Sequence, residues 1–371
     1  MWSKFKTFDI WLFLLPLFLA VGGVVMIYSI TLTTLGATLA VKQLISLGIG
    51  LIFYFSFSFF DYRAIKTWSW LIYLIAIASL FLVRLIGTSS FGAKRWIELG
   101  FFQFQPSELA KLALICLLAT VFADRIHRIH SRRLLMVGAM VLLPVILVMQ
   151  EPDLGSALTI GLIGFIMTAH AGLNKRQWLV IGTILISLTA VVLMTWSKIG
   201  PFATLIKNYQ RARIETFINP AADPSGAGYN VLQAVIAVGS GGVTGRGLGF
   251  GSQSQLNFLP VSHTDFIFAS IAESWGFVGS VFILFIYGLL ITKILTAARL
   301  AQDDFSMLFC VGVAALFIVQ VVVNVGMNIQ LLPVTGITLP LMSYGGSSLL
   351  TNLILLGIVQ SVVVRYQRII L

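Results

Sequence analysis

Charge is what this chain has least of. Asp, Glu, Lys and Arg make up 10% of its 371 residues, against about 25% in an ordinary soluble domain. Once the apolar runs are set aside, no stretch is left to fold as a water-soluble enzyme domain. Cysteine is nearly absent. Cys116 and Cys310 lie in separate apolar runs, which excludes a disulfide framework and a cysteine metal site. A nucleotide loop is missing too. Residues 239–249 are glycine-rich but lack the Gly-Lys-[Ser/Thr] ending that phosphate binding requires. That run reads instead as a flexible or tightly turned segment that lets backbone approach a substrate.

What is present is hydrophobic length. Apolar residues reach 58% and mean hydropathy is +0.98. The pattern predicts an all-α integral membrane protein, one polytopic domain over 1–371, with about ten spans. They are placed at 10–31, 42–60, 66–85, 106–124, 134–149, 155–172, 177–196, 265–292, 306–328 and 341–364. The first run follows Lys4 and Lys6 and lacks a small-x-small cleavage site, so it reads as a retained helix. The net charge of +11 does not call for nucleic acid. The basic residues gather in short loops, where they set topology. Arg63, Lys66, Arg125, Arg128, Arg132, Arg133, Lys175, Arg176, Lys293, Arg299, Arg365 and Arg368 then face the cytoplasm, as do both termini. Three segments fall outside: 88–105, the Glu151-Pro152-Asp153 turn, and a large loop at 197–264 between helices seven and eight. Within that loop 209–217 and 231–238 have amphipathic, helical patterns.

The polar residues that remain sit at the edges of these spans. Asp265 stands where the long loop meets the eighth span, a costly place for a carboxylate. It reads either as a general base of raised pKa or as the N-cap of that helix. Glu273, deeper in the same span, needs a partner or a proton. A structural ion pair and a catalytic role both fit it. Glu108 and Lys111 share a face of the fourth span, as a local ion pair or as the lining of a polar cavity. Arg95 and Trp96 suit either interfacial anchoring or an anionic headgroup. Arg211 and Arg213 add outward cations against the topological bias. Gln320, Asn324 and Asn328 recur every four residues, a stripe suited to hydrogen bonds between helices.

Four blocks together resemble the SEDS family of cell-wall glycosyltransferases. They are Lys94-Arg95-Trp96 through Lys111, Glu151 through Gly155, Asp223-Pro224 through Ala269, and Leu332 through Ser347 with its Ser343-Tyr344-Gly345-Gly346 run. One departure stands out. The family's paired glutamates are replaced here by Glu273-Ser274. The stretch 251–260 and the short N-terminus are closer to the family's elongation branch than to its division branch.

The resemblance implies a glycosyltransferase in the bacterial cytoplasmic membrane that polymerises lipid II on its outer face. Division-type polymerisation and lipid II flipping are the alternative activities. Asp265 would be the catalytic base. Lys111, Glu108, Arg95, Trp96, Arg211, Arg213, Asp153, Glu273, Ser343 and Tyr344 would contact substrate. A divalent cation (Mg or Mn) is the implied cofactor, and no organic cofactor is implied. The implied partners are a class B penicillin-binding protein and other membrane proteins of the elongation complex.

Overall fold

A computed structural model describes residues 7–32, 36–90, 93–100, 102–123, 130–196, 208–220, 226–256 and 258–370. Arg125, Arg128, Asp223, Pro224 and part of the expected 197–264 loop lie outside them, as do Lys4 and Lys6. Thirteen helices and a small sheet account for the described chain. The first seven helices are α1 (Ile10–Thr31), α2 (Thr38–Phe59), α3 (Tyr62–Ile86), α4 (Pro106–Ala123), α5 (Ser131–Gln150), α6 (Leu154–His170) and α7 (Lys175–Trp196). Next come α8 (Asn208–Ile218), α9 (Ala227–Ser240) and α10 (Ser252–Gln255). Last are α11 (Ile267–Leu300), α12 (Asp304–Asn328) and α13 (Gly346–Ile370).

Among the described residues eight helices are long and apolar enough to cross a membrane: α1 to α5 and α11 to α13. Of the ten expected spans, the other two correspond to α6, apolar but 17 residues long, and α7. The amphipathic stretches at 209–217 and 231–238 are helical, as α8 and α9. A three-stranded antiparallel sheet is the unforeseen element. It consists of β1 (Thr88–Ser90), β2 (Ala93–Leu99) and β3 (Phe102–Phe104), in that order, between α3 and α4.

Scarce aspartates start the helices. Asp9, Asp61, Asp153 and Asp303 each accept a backbone N–H of α1, α3, α6 and α12 at 2.8–3.0 Å. Such a bond satisfies one of the donors a helix leaves open at its start. The bundle is layered. α4 and α13 are 89% buried along their most apolar window and α12 is 83% buried, whereas α2, α3, α5 and α11 are 28% buried. The inner three form the core, and the outer helices carry the exposed apolar side chains that a bilayer covers. One end of the bundle is marked by ion pairs, Lys293–Asp9 at 3.0 Å and Arg365–Asp61 at 3.5 Å. Asp265 lies at the far end of α11 from Lys293.

α11 is broken at Gly276, whose φ of 67° and ψ of −164° only glycine adopts without strain. A helix broken at membrane depth must find other partners for its freed backbone. The glycine-rich run supplies them. Arg246 N donates to Glu273 O at 3.0 Å and Gly247 N to Ser274 O at 2.9 Å. In return Phe277 N and Val278 N donate to Gly242 O and Val243 O at 2.9 and 3.1 Å. Of the two readings the run is the tightly turned one, its backbone locked into the break. A Cβ at Gly276 would lie 2.3 Å from Gly245 N. Gly276→Ala is expected to lower stability by at least about 1–3 kcal/mol, read as a lower melting temperature in detergent. Gly288→Ala, where a Cβ meets open space, is the control and should not melt earlier.

Candidate active site

Asp265 does not cap the helix it precedes. The N-cap of α11 is Phe266, with no side-chain capping bond. The cap comes instead from another helix: Asn328 of α12 accepts Ala269 N through Oδ1 at 3.0 Å. Asn324 and Asn328 also reach back and donate to the Asp265 carbonyl, at 3.0 and 3.1 Å. Both asparagines are fully buried. Asn324 and Asn328 of the polar stripe on α12 thus bond their neighbours, chiefly the main chain around Asp265, whereas the buried Gln320 Oε1 has no hydrogen-bond partner.

A second clamp holds the preceding residues. Ser343 Oγ donates to Thr264 O at 2.7 Å and accepts Leu339 N at 2.8 Å. Tyr344 N donates to His263 O at 2.9 Å, and the two rings meet edge to face at 5.8 Å. Ser343 and Tyr344, expected at the substrate, therefore brace residues 263–264. Burial lowers the His263 pKa and raises that of Tyr344, so both side chains stay neutral near pH 7.

With its backbone held and its helix capped by others, the Asp265 carboxylate faces a cluster. Gly336 approaches so closely that a Cβ there would sit 3.4 Å from Oδ2. Arg213 of α8 donates to Thr335 O, beside Gly336, at 2.8 Å. Gly155 of α6 packs on Thr335, Gly336 and Ile337, bringing Asp153 to the same corner. Arg95 of β2 donates to Glu151 O at 3.0 Å and also to Pro152 O. The three segments expected on one face of the membrane thus meet. Burial pushes the Asp265 carboxyl up to about 6, and the Asp153 carboxylate adds to the rise. The Arg213 guanidinium, the Thr264 hydroxyl and Arg95 pull it back. A carboxyl of that pKa is ionised at pH 7 yet more basic than an exposed aspartate, as a general base requires.

Glu151 belongs to this corner, although the sequence pointed only to Asp153. It is buried, its Oε1 has no hydrogen-bond partner, and burial followed by Asp153 pushes its pKa up to about 8. Its signal was its place two residues before Asp153 in a turn between spans. Among the described residues no group of three His, Cys, Asp or Glu is placed to hold a metal ion, and Asp153 already gives one oxygen to Ser156 N.

The family model described as a cell cycle protein, FtsW/RodA/SpoVE, matches residues 9–368. The chain belongs to this family. Peptidoglycan glycosyltransferase MrdB of Escherichia coli K12 is 38% identical over 300 residues, 81% of this chain and 79% of that protein. The crystal structure of the rod shape determining protein RodA from Thermus thermophilus covers 96% of this chain and 97% of that one, at 31% identity and a TM-score of 0.70. A chain from a peptidoglycan synthase complex that coordinates polymerization and crosslinking covers 97% of this chain and 98% of that one, with 32% identity and a TM-score of 0.79.

In this family member the other expected residues have protein partners of their own. Arg211 pairs along α8 with Glu215 at 2.9 Å. Trp96 is half-buried in β2, with its carbonyl facing Thr88. Glu273 is fully buried, but its carboxylate accepts Gln253 N, Ser254 N and Ser254 Oγ, which tie α10 to α11. Its protein partners are thus the start of a short helix rather than a basic side chain. Glu108 and Lys111 form a buried ion pair at 2.7 Å inside the first two turns of α4. Removing one partner of a buried pair leaves a bare charge and costs about 3–5 kcal/mol, whereas replacing both is far milder. Lys111→Met is therefore expected to melt well below the parent, and Glu108→Gln/Lys111→Met to recover most of the loss. Equal melting temperatures for the single and double variants would show that the two charges do not depend on each other.

Proposed function

We infer that this protein is a peptidoglycan glycosyltransferase with Asp265 as its general base. The observation that carries the reading is the freed carboxylate. It precedes a spanning helix yet caps nothing, and it is half-buried beside Arg213, Arg95 and Asp153. The substrate is lipid II, two molecules of which meet at this end of the bundle. The 4-hydroxyl of one sugar attacks the anomeric carbon of the other. As the new C–O bond forms, Asp265 takes the hydroxyl proton and the bond to the pyrophosphate oxygen breaks, its electron pair leaving with the pyrophosphate. A sugar hydroxyl is a poor nucleophile, and a positioned base contributes about 10²–10⁴-fold. The leaving group develops negative charge, which the Arg213 and Arg95 guanidiniums stabilise best at close range in a water-poor corner. Lys111 is already neutralised by Glu108, so the arginines carry this task. No step is routed through a divalent cation.

The basic residues support a topology with both termini in the cytoplasm and Asp265 outside. Arg132, Arg133, Lys175 and Arg176 flank α5 and α7, and the Lys293 and Arg365 pairs mark the end opposite Asp265. An enzyme that only polymerises needs a transpeptidase beside it. Since the sequence holds no acylating Ser-x-x-Lys set, a class B penicillin-binding protein fits that place. The stretch 251–260 favours the elongation role. A tagged copy in sidewall patches would support it, and a midcell ring would assign division instead.

Two measurements test the base. Asp265→Asn, purified and given lipid II, is expected to lose glycan synthesis by about 10²-fold or more while keeping the parent melting curve. A variant that still makes strands at the parent rate overturns the assignment and places the base elsewhere. Polymerisation should also fall as pH drops through about 6, where Asp265 gains its proton. Arg213 lowers that pKa and Asp153 raises it. Arg213→Met should therefore move the acid limb to higher pH, and Asp153→Asn to lower pH. An acid limb that neither variant shifts would place the titrating group elsewhere.

A further inference from the structure

We propose that residues 241–256, formally part of the long loop before α11, form a re-entrant collar whose apolar side chains sit in the bilayer hydrocarbon. The first observation is composition. Between Gly226 and Phe258 the chain carries a single ionisable side chain with a full charge, Arg246. A water-exposed loop of that length ordinarily holds several charges.

Two independent lengths give the depth. Asp9 caps α1 and pairs with Lys293, so these residues share one level. Ser29 lies twenty residues up α1, about 30 Å at 1.5 Å per residue, and its carbonyl accepts Gln255 Nε2 of α10 at 2.6 Å. Gly276 lies seventeen residues up α11 from Lys293, about 26 Å by the same rise. The hydrocarbon core is about 30 Å thick. With the Asp9–Lys293 pair at one face of the core, α10 sits at the other face and the break in α11 lies just inside it. Residues 242–247 are hydrogen-bonded to the break and share its depth.

The exposed surface is continuous with the lipid face of the bundle. Phe277, Val278, Val281, Phe282 and Phe285 form an outward stripe on α11, 47–67% exposed. Val278 N bonds to Val243 O, and Val243 itself is 66% exposed, with Phe250 at 78% and Leu248 at 43%. Part of the run's backbone is hydrogen-bonded within the protein, as contact with lipid favours. Besides the four bonds to α11, Gly245 N donates to Gly241 O at 2.8 Å and Phe250 N to Gly247 O at 3.3 Å. Arg246 turns its guanidinium back on its own segment, donating to Ser240 O at 3.1 Å and Ser252 Oγ at 2.9 Å. Glycine at this sequence position therefore serves close main-chain packing against α11, and the side chains between the glycines serve lipid.

The test uses the full-length protein in phosphatidylcholine–phosphatidylglycerol vesicles. Single cysteines replace Phe250, Val243, Phe282 and Lys94 in turn, with Cys116 and Cys310 changed to alanine, and each carries an environment-sensitive fluorophore. Phe282 is the lipid-facing control and Lys94, exposed in β2, the aqueous one. At Phe250→Cys and Val243→Cys, lipid spin-labelled near the headgroup is expected to quench several-fold more than aqueous iodide, with the reverse at Lys94→Cys. Iodide quenching at Phe250→Cys and Val243→Cys equal to that at Lys94→Cys overturns the proposal by placing the run in water. Protection from both quenchers also overturns it, by showing that protein, a second copy or a partner helix, covers the run.

Discussion

Asn328 caps α11 from the side, and most of the site's character follows from that bond. A helix start leaves backbone donors that something must accept. At α1, α3, α6 and α12 the preceding aspartate does so. At α11 the acceptor is the Asn328 amide oxygen, while the amide nitrogens of Asn324 and Asn328 hold the Asp265 carbonyl. Buried amides are costly unless their groups are matched, and matched networks are rigid. α12 therefore fixes where the last residue of the loop stops and the spanning helix starts. Ser343 fixes Thr264, one residue earlier. The carboxylate is the part of this junction that the architecture leaves uncommitted.

Around it the chain gathers a dense set of charges. Asp265 faces Arg213 and Arg95, with Asp153 and Glu151 beside it. Burial raises both titrating acids, Asp265 to about 6 and Glu151 to about 8, so at neutral pH the first is ionised and the second holds its proton. Two carboxyls in one corner thus differ in protonation because their surroundings differ. The arginines come from β2 and α8, the acids from the α5–α6 turn and the start of α11. No two of these elements are neighbours in the chain, so the corner exists only when the bundle is closed.

The spans were legible because membrane thickness leaves little freedom in length. The first was placed at its observed ends, and the eighth began two residues early, at Asp265. Its far end was missed by eight residues because Lys293 reads as a terminus; in fact Lys293 pairs with Asp9 and the helix runs on to Leu300. The sheet was missed because its signal is slight, little more than the glycine at 100, whose φ is 69°. Strands of three to seven residues leave no mark on a pattern of twenty-residue apolar runs. Asp265 was visible as a misplaced charge. That it does not cap its helix was not visible, because the substitute cap is 59 residues downstream. Glu273 was visible as a buried acid, but its partners are main-chain amides on a four-residue helix, which no residue type announces.

The ties at the junction run almost wholly through main-chain atoms. The Asp265 carbonyl, the Ala269 amide, and the Thr264 and His263 carbonyls are what other residues grip. Such a socket does not recognise which side chain it carries. Architecture and chemistry are thus uncoupled at one residue: the scaffold dictates where a group is presented, and leaves its identity to be decided by reactivity alone.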